Sequence, residues 1–170
     1  VTGLLERPAA VGAPTDEIVA LRRAGPADSG AVRDFLAGLS LHSAYRRFFT
    51  GIGAPSSTLV RRLVDVDHDR REAVLALAGA QVVGLADSCR LADDRTVEIG
   101  VVVADAWQRI GLGPRLTAAL LALAAERGAT TLRVHALAEN AVVARLLRRQ
   151  WPECSPTYED ATLTWTLPLP

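Results

Sequence analysis

The chain has 170 residues, 19 basic and 19 acidic side chains, a formal net charge of zero and 49% apolar residues. That length suits one domain with a real core, and the composition is globular rather than disordered. Neutral charge argues against nucleic acid or another polyanion as a general partner. With every basic residue an arginine, lysine-based Schiff-base and general-base chemistry is excluded. Two cysteines, Cys89 and Cys154, are too few for a disulfide scaffold and give no metal spacing, so no metal is assigned. No apolar run reaches the roughly 20 residues of a membrane span, no secretory signal is visible, and a cytoplasmic location without membrane partners is expected. The chain lacks methionine even at position 1, which points to a processed protein or a piece of a longer one.

Residues 1–16 are rich in Ala, Gly and Pro without periodicity and read as a flexible tail or linker. Ile18 to Arg22 reads as a first strand. Gly25-Pro26-Ala27-Asp28 starts a helix with Pro near its first position, and Val32, Phe35, Leu36 and Leu39 recur at helical spacing on its buried face. A short helix follows through Leu39 to Phe49, with Ser40 or Ser43 as cap. Its Tyr45, Phe48 and Phe49 are expected on one side, as core or as the wall of a cleft. After a loop at 51–55, Ser56 or Ser57 caps a third helix that turns Leu59, Leu63 and Val64 inward. Asp65 to Asp69 resembles a calcium loop, but Arg70 and Ala76 stand where Gly and Glu are needed. It reads as a solvated acidic loop.

Ala73–Ala78, Gln81–Leu91 and Thr96–Val103 read as three strands of a meander, with turns at Gly79-Ala80 and Asp93-Asp94. A helix from about Leu112 carries Leu112, Leu116, Leu120 and Leu123 at helical spacing and ends at Gly128. Thr131–Leu137 is a strand. Asn140 caps the next helix, which buries Val143, Leu146 and Leu147 and stops at Trp151-Pro152. Thr162–Leu167 alternates as a last strand. The pattern is α/β or α+β.

The strand at Thr96–Val103 runs through Gln108-Arg109-Ile110-Gly111-Leu112-Gly113-Pro114 into a helix. A helix N-terminus offers unpaired N–H groups and a positive dipole end, and Gly111 and Gly113 let the backbone approach an anion. A Walker loop is ruled out because it needs lysine, and the dinucleotide fingerprint fails because Leu116 replaces its third glycine. Gln108, Gly111 and Gly113 form Gln-x-x-Gly-x-Gly, which resembles the acyl-CoA signature of the GNAT N-acetyltransferases. The run Leu39-Ser40-x-x-Ser43-x-Tyr45-x-Arg47-Phe48-Phe49 resembles the acetyltransferase domain of bacterial Pat-type protein lysine acetyltransferases.

The resemblance covers about Ile18 to Pro168. It implies a GNAT fold over residues 17–170: a mixed, mostly antiparallel sheet, helices on both faces and a splayed strand pair that binds acyl-CoA. It implies acetyl-CoA as cosubstrate, an acceptor lysine on a protein partner, acyl-CoA synthetases as the acceptor class, and a regulatory domain elsewhere in a longer chain. A protein without lysine cannot acetylate its own side-chain amines. A small-molecule amine acceptor and a non-catalytic CoA-sensing module are the alternatives.

Acetyl transfer to an amine needs a base, because free lysine has a pKa of about 10.4, and it needs donors for an oxyanion. Glu98 is the candidate base. It shares a strand face with Gly100 and Val102, where an apolar strand tolerates a carboxylate only if it is paired or opens on a cleft. The resemblance adds Glu98 as the family's base, the backbone of Val101 and Val103 for the pantetheine arm and the oxyanion, residues Gln108 to Pro114 for the pyrophosphate, and Asn140 as a further CoA contact. Many relatives carry a Tyr acid where Leu147 stands. Ser88, Cys89, His135 and Tyr158 are the remaining candidates for that role, and His135 reads more simply as a structural strand residue.

Overall fold

The computed structural model describes residues 19–49 and 54–169, so the expected tail at 1–16, Ile18 and most of the loop at 51–55 lie outside them. Seven strands form one sheet: β1 (Val19–Arg23), β2 (Arg71–Ala78), β3 (Gln81–Arg90), β4 (Thr96–Val103), β5 (Thr131–Leu137), β6 (Thr157–Glu159) and β7 (Thr162–Pro168). Their order is β1-β2-β3-β4-β5-β7-β6, and all neighbours are antiparallel except β4 and β5. Five α-helices connect them: α1 (Ser29–Ala37), α2 (Leu41–Phe48), α3 (Ser57–Val64), α4 (Leu112–Glu126) and α5 (Ala141–Gln150). This is the mixed, mostly antiparallel sheet flanked by helices that the sequence implied.

Helices α1 and α3 pack Val32, Phe35, Leu36, Val60, Leu63 and Val64 onto the front of β2–β4, against Leu75, Leu85 and Val102. Behind the sheet, α4 sets Leu112, Leu116 and Leu120 on Val74, Ala76, Val83, Ala86 and Val103. Its far end and α5 close over Leu132, Val134, Trp165 and Leu167. Each fully buried Leu or Val contributes about 1.5–3 kcal/mol, so these three clusters fix which face each helix turns inward. Helix α4 stops where Gly128 takes φ 81; Gly128 N–H bonds Ala125 O and Ala129 N–H bonds Ala124 O. That double bond absorbs carbonyls the helix end leaves free.

Several expectations change. Pro26–Asp28 is a 3-10 turn before α1. On α2 Ala44 is buried and Phe48 packs against the core, while Leu41, Tyr45 and Phe49 form an exposed ridge. The helix is short and rests on one edge of the β4 face, so one apolar row has nothing to meet. On α3, Val60 is buried rather than Leu59, which is half-buried. On α5, Ala144 and Leu147 are buried and Leu146 is 44% exposed. Strand β6 went unread because three exposed residues carry no period. Among the described residues no helix is long and apolar enough to cross a membrane.

Candidate functional site

Strands β4 and β5 pair only over Thr96↔Thr131, Val97↔Leu132 and Glu98↔Arg133. Beyond Glu98 they part. Ala104 N–H donates to Val83 O at 2.9 Å, and Leu91 N–H to Thr96 O at 2.8 Å. Peptide groups of even-numbered β4 residues therefore point to β3, and those of Val101 and Val103 point into the gap. The Val103 carbonyl is met there by the Gln108 side chain, whose Nε2 donates to it at 3.0 Å and to Ser43 Oγ at 3.0 Å. Gln108 thus ties the turn to β4 and α2 with its side chain.

The turn at the end of β4 has two left-handed residues, Arg109 at φ 64 and Gly111 at φ 86. Alternating handedness of this kind curls successive N–H groups into a concave nest. Gly111 is the N-cap of α4 and supplies no side-chain cap, in contrast with Ser40, Ser56 and Asn140 at α2, α3 and α5. A Cβ added at Gly111 or Gly113 would meet nothing within 4 Å, so the space over the turn is open. Leu112 buries its side chain, Ile110 is exposed, and Pro114 has no N–H to offer. The residues present fit a phosphate group: uncapped donors, a helix dipole of 15 residues, and room.

Asp105 clamps α2 to this turn. It accepts from Ser40 N at 3.0 Å, Ser40 Oγ at 2.7 Å and Ser43 Oγ at 2.8 Å. Burial pushes its carboxyl up, but these donors outweigh burial and hold it below the usual carboxylate range. Sequence reading gave Ser40 and Ser43 only a capping role. Ser40 does cap α2, accepting from Ser43 N at 3.1 Å. The link across more than sixty residues had no local signal.

Residues 38–151 match the acetyltransferase (GNAT) family. The chain belongs to that family. Among solved structures it is similar to the GNAT domain of S. lividans PAT, with TM-score 0.80 and 22% identity over 88% of this chain and 89% of that one. It is similar to yncA of Salmonella typhimurium, solved with acetyl-CoA, with TM-score 0.71 and 19% identity over 90% and 95% of the two chains. It is also similar to a phosphinothricin acetyltransferase of Sinorhizobium meliloti solved with the same ligand, with TM-score 0.68 and 16% identity over 89% and 88%. At these identities the likeness is one of fold. As a GNAT acetyltransferase the chain is an acyltransferase.

In this GNAT chain Glu98 stands at the mouth of the gap, on the sheet face it shares with Gly100 and Val102. Its side chain is 42% exposed. Cys89 lies beside it on β3 and Arg133 on β5. Arg47 reaches from α2 to lie over Gly100, where only a residue without Cβ leaves room, and pairs with Asp87 on β3. Helices α1–α3 cover the front of β2–β4. The front of β5 and β7 carries Arg133, His135, Leu137, Thr162, Thr164 and Thr166; Leu137 is buried, and none of the six belongs to the core clusters under α1, α3, α4 and α5. Asn140 is buried beyond the end of β5, with Oδ1 accepting from Val143 N at 3.4 Å, which accounts for its capping role. Tyr158 is 68% exposed on the edge strand β6, and Ser88 faces the α4 side, away from Glu98. The pairing of Arg47 with Asp87 was missed; an arginine and an aspartate forty residues apart give no pattern until α2 crosses β4.

Proposed function

We propose that this chain is an acetyl-CoA-dependent protein lysine N-acetyltransferase domain that transfers the acetyl group directly. The observation that carries the reading is the gap between β4 and β5, with the Val101 and Val103 peptides turned into it and the uncapped start of α4 at its end. The N–H groups of residues 109–113 bind the pyrophosphate, with Arg109 alongside. The Val101 and Val103 peptides hold the pantetheine arm as an added strand. The N–H of Val101 stabilises the oxyanion. Ile110 and the backbone of Leu112, with Pro114, shape the turn, and Asn140 borders the cosubstrate at α5.

Glu98 takes the proton from the acceptor amine, directly or through one water. The amine nitrogen bonds the acetyl carbon, the carbon–sulfur bond breaks, and the electron pair leaves on the thiolate. With Leu147 where many relatives place a tyrosine, and buried, water protonates the thiolate. A protein acceptor is supported by the exposed Leu41–Tyr45–Phe49 ridge along α2 and by the likeness to the S. lividans PAT domain. Acyl-CoA synthetases are the acceptor class implied by the Pat-type run in α2. Residues 17–170 form the catalytic domain.

The test is thiol release from acetyl-CoA with a bacterial acyl-CoA synthetase as acceptor, followed by mass mapping of the modified lysine. Glu98→Gln abolishes turnover and keeps CoA binding. Gly113→Ala separates ligand from fold: alanine favours a helix by about 0.5–1 kcal/mol, so thermal stability holds or rises while CoA affinity falls. Turnover on a small amine with none on the synthetase would reassign the acceptor. Binding without turnover on any amine would overturn the reading.

A further inference from the structure

We propose that His135, itself held by Thr164, is the positioning residue that orients the Glu98 carboxylate; this rests on the reading of Glu98 as the base. His135 and Thr164 are register partners on β5 and β7. The parallel register Glu98↔Arg133 sets His135 two residues further along the same face, toward the gap. His135 Nε2 stands 3.3 Å from Glu98 Oε2, and Nδ1 stands 2.9 Å from Thr164 Oγ1. Among the described residues this is the one contact within ion-pair distance of the Glu98 carboxylate, and it is a long one beside the roughly 2.7–2.9 Å of a charge-assisted hydrogen bond.

The chemistry of these three groups selects one arrangement. An ionised carboxylate only accepts, so Nε2 carries the proton and donates to Glu98. Nδ1 of the neutral ring is then the acceptor, and the Thr164 hydroxyl, which can do either, donates to it. The result is a chain in one direction: Thr164 O–H to His135, His135 N–H to Glu98. The contact restricts the carboxylate to one rotamer, with the second oxygen left for the amine. The other charged or titratable groups on this face are Arg133 beside Glu98 on β5, Cys89 beside it on β3, and the Arg47–Asp87 pair brought over Gly100 by α2. Arg47 is engaged by Asp87, which leaves His135 as the neighbour that addresses Glu98 directly.

His135→Leu, His135→Gln and Thr164→Val are compared with the native protein and with Glu98→Gln. In His135→Leu, kcat/KM for the amine falls about tenfold, the scale of one hydrogen bond to a charged group. CoA affinity and KM for acetyl-CoA are unchanged. Glutamine places an amide N–H near the Nε2 position and recovers most of the loss. In the free protein, nitrogen-15 spectra of His135 report the Nε2–H tautomer, and Thr164→Val, which keeps the side-chain shape, mixes the two tautomers. A leucine variant with the native rate, a glutamine variant no better than leucine, or an Nδ1–H tautomer would each overturn the proposal. Full turnover by Glu98→Gln would instead remove the base reading, and the tautomer spectrum would still decide whether His135 addresses that carboxylate.

Discussion

Gly84→Ala will destabilise the fold by jamming α4 against the sheet. Gly84 follows a β-bulge, where β2 and β3 shift register between Ala76 and Leu77, and it faces α4. A Cβ there would stand 2.8 Å from Leu116 Cδ1, 3.4 Å from Ala76 Cβ and 3.5 Å from Val102 O. Leu116 is 0% exposed, so its methyl has no solvent to swing into. Overpacking of this kind costs about 1–3 kcal/mol. For a chain of this length each kcal/mol lowers Tm by about 2–4 °C, which gives a fall of about 2–12 °C. The assay is thermal melting, paired with Leu116→Ala. That substitution alone costs about 3–5 kcal/mol as a cavity, but in the Gly84→Ala background it also removes the clashing methyl. The double variant will therefore be more stable than the sum of the singles by about 0.5–3 kcal/mol. An unchanged Tm for Gly84→Ala, or strict additivity, would refute the argument that helix and strand meet here at backbone distance. The consequence is functional as well: Leu116 lies one turn into α4, so whatever displaces it also displaces the turn proposed to bind the pyrophosphate.

Two further predictions concern charge. Glu72 is 3% exposed, with Oε2 3.0 Å from Arg23 and 3.1 Å from Arg127 and Oε1 2.6 Å from His68 Nδ1; Glu72→Gln leaves the two guanidinium groups uncompensated and should cost about 3–5 kcal/mol in urea unfolding, and a loss under about 1 kcal/mol would show that solvent reaches the cluster. Stability should also fall in acid. The Thr96 hydroxyl, with the Thr96 and Arg95 amides, lowers Asp93 to about 2, and Asp28, beside Arg22, and Asp105 lie below their usual range. A carboxylate depressed in the folded state stabilises above its unfolded pKa, about 3.9, and that contribution disappears as pH falls through the folded value; Asp93→Asn should flatten the Tm-against-pH curve between about 4 and 2, and an unaltered slope would count against the turn.

Much of the architecture was legible because periodicity reports a residue's immediate neighbours. Strict alternation put Glu98, Gly100 and Val102 on one face, and β4 and β5 fall at the ranges read from sequence. Ser56 and Asn140 cap their helices as their positions suggested. Period alone failed where a helix has little to pack on. Tyr45 and Leu146 satisfy helical spacing, yet both are exposed, because spacing names a stripe without saying whether anything lies opposite it. The signature glutamine shows a similar gap. Gln108 was read as a ligand contact, and its side chain is engaged by Val103 and Ser43.

The sequence by itself determined the strand–turn–helix, its glycines, the family and the one acidic residue on the strand before the turn, since each is written within a few consecutive positions. Only the tertiary structure decided where β4 and β5 part, that Asp105 fastens α2 to the turn, and that His135 faces Glu98. Those are relations between segments 35 to 65 residues apart. They depend on strand register and helix placement, which are set by the packing of the whole core.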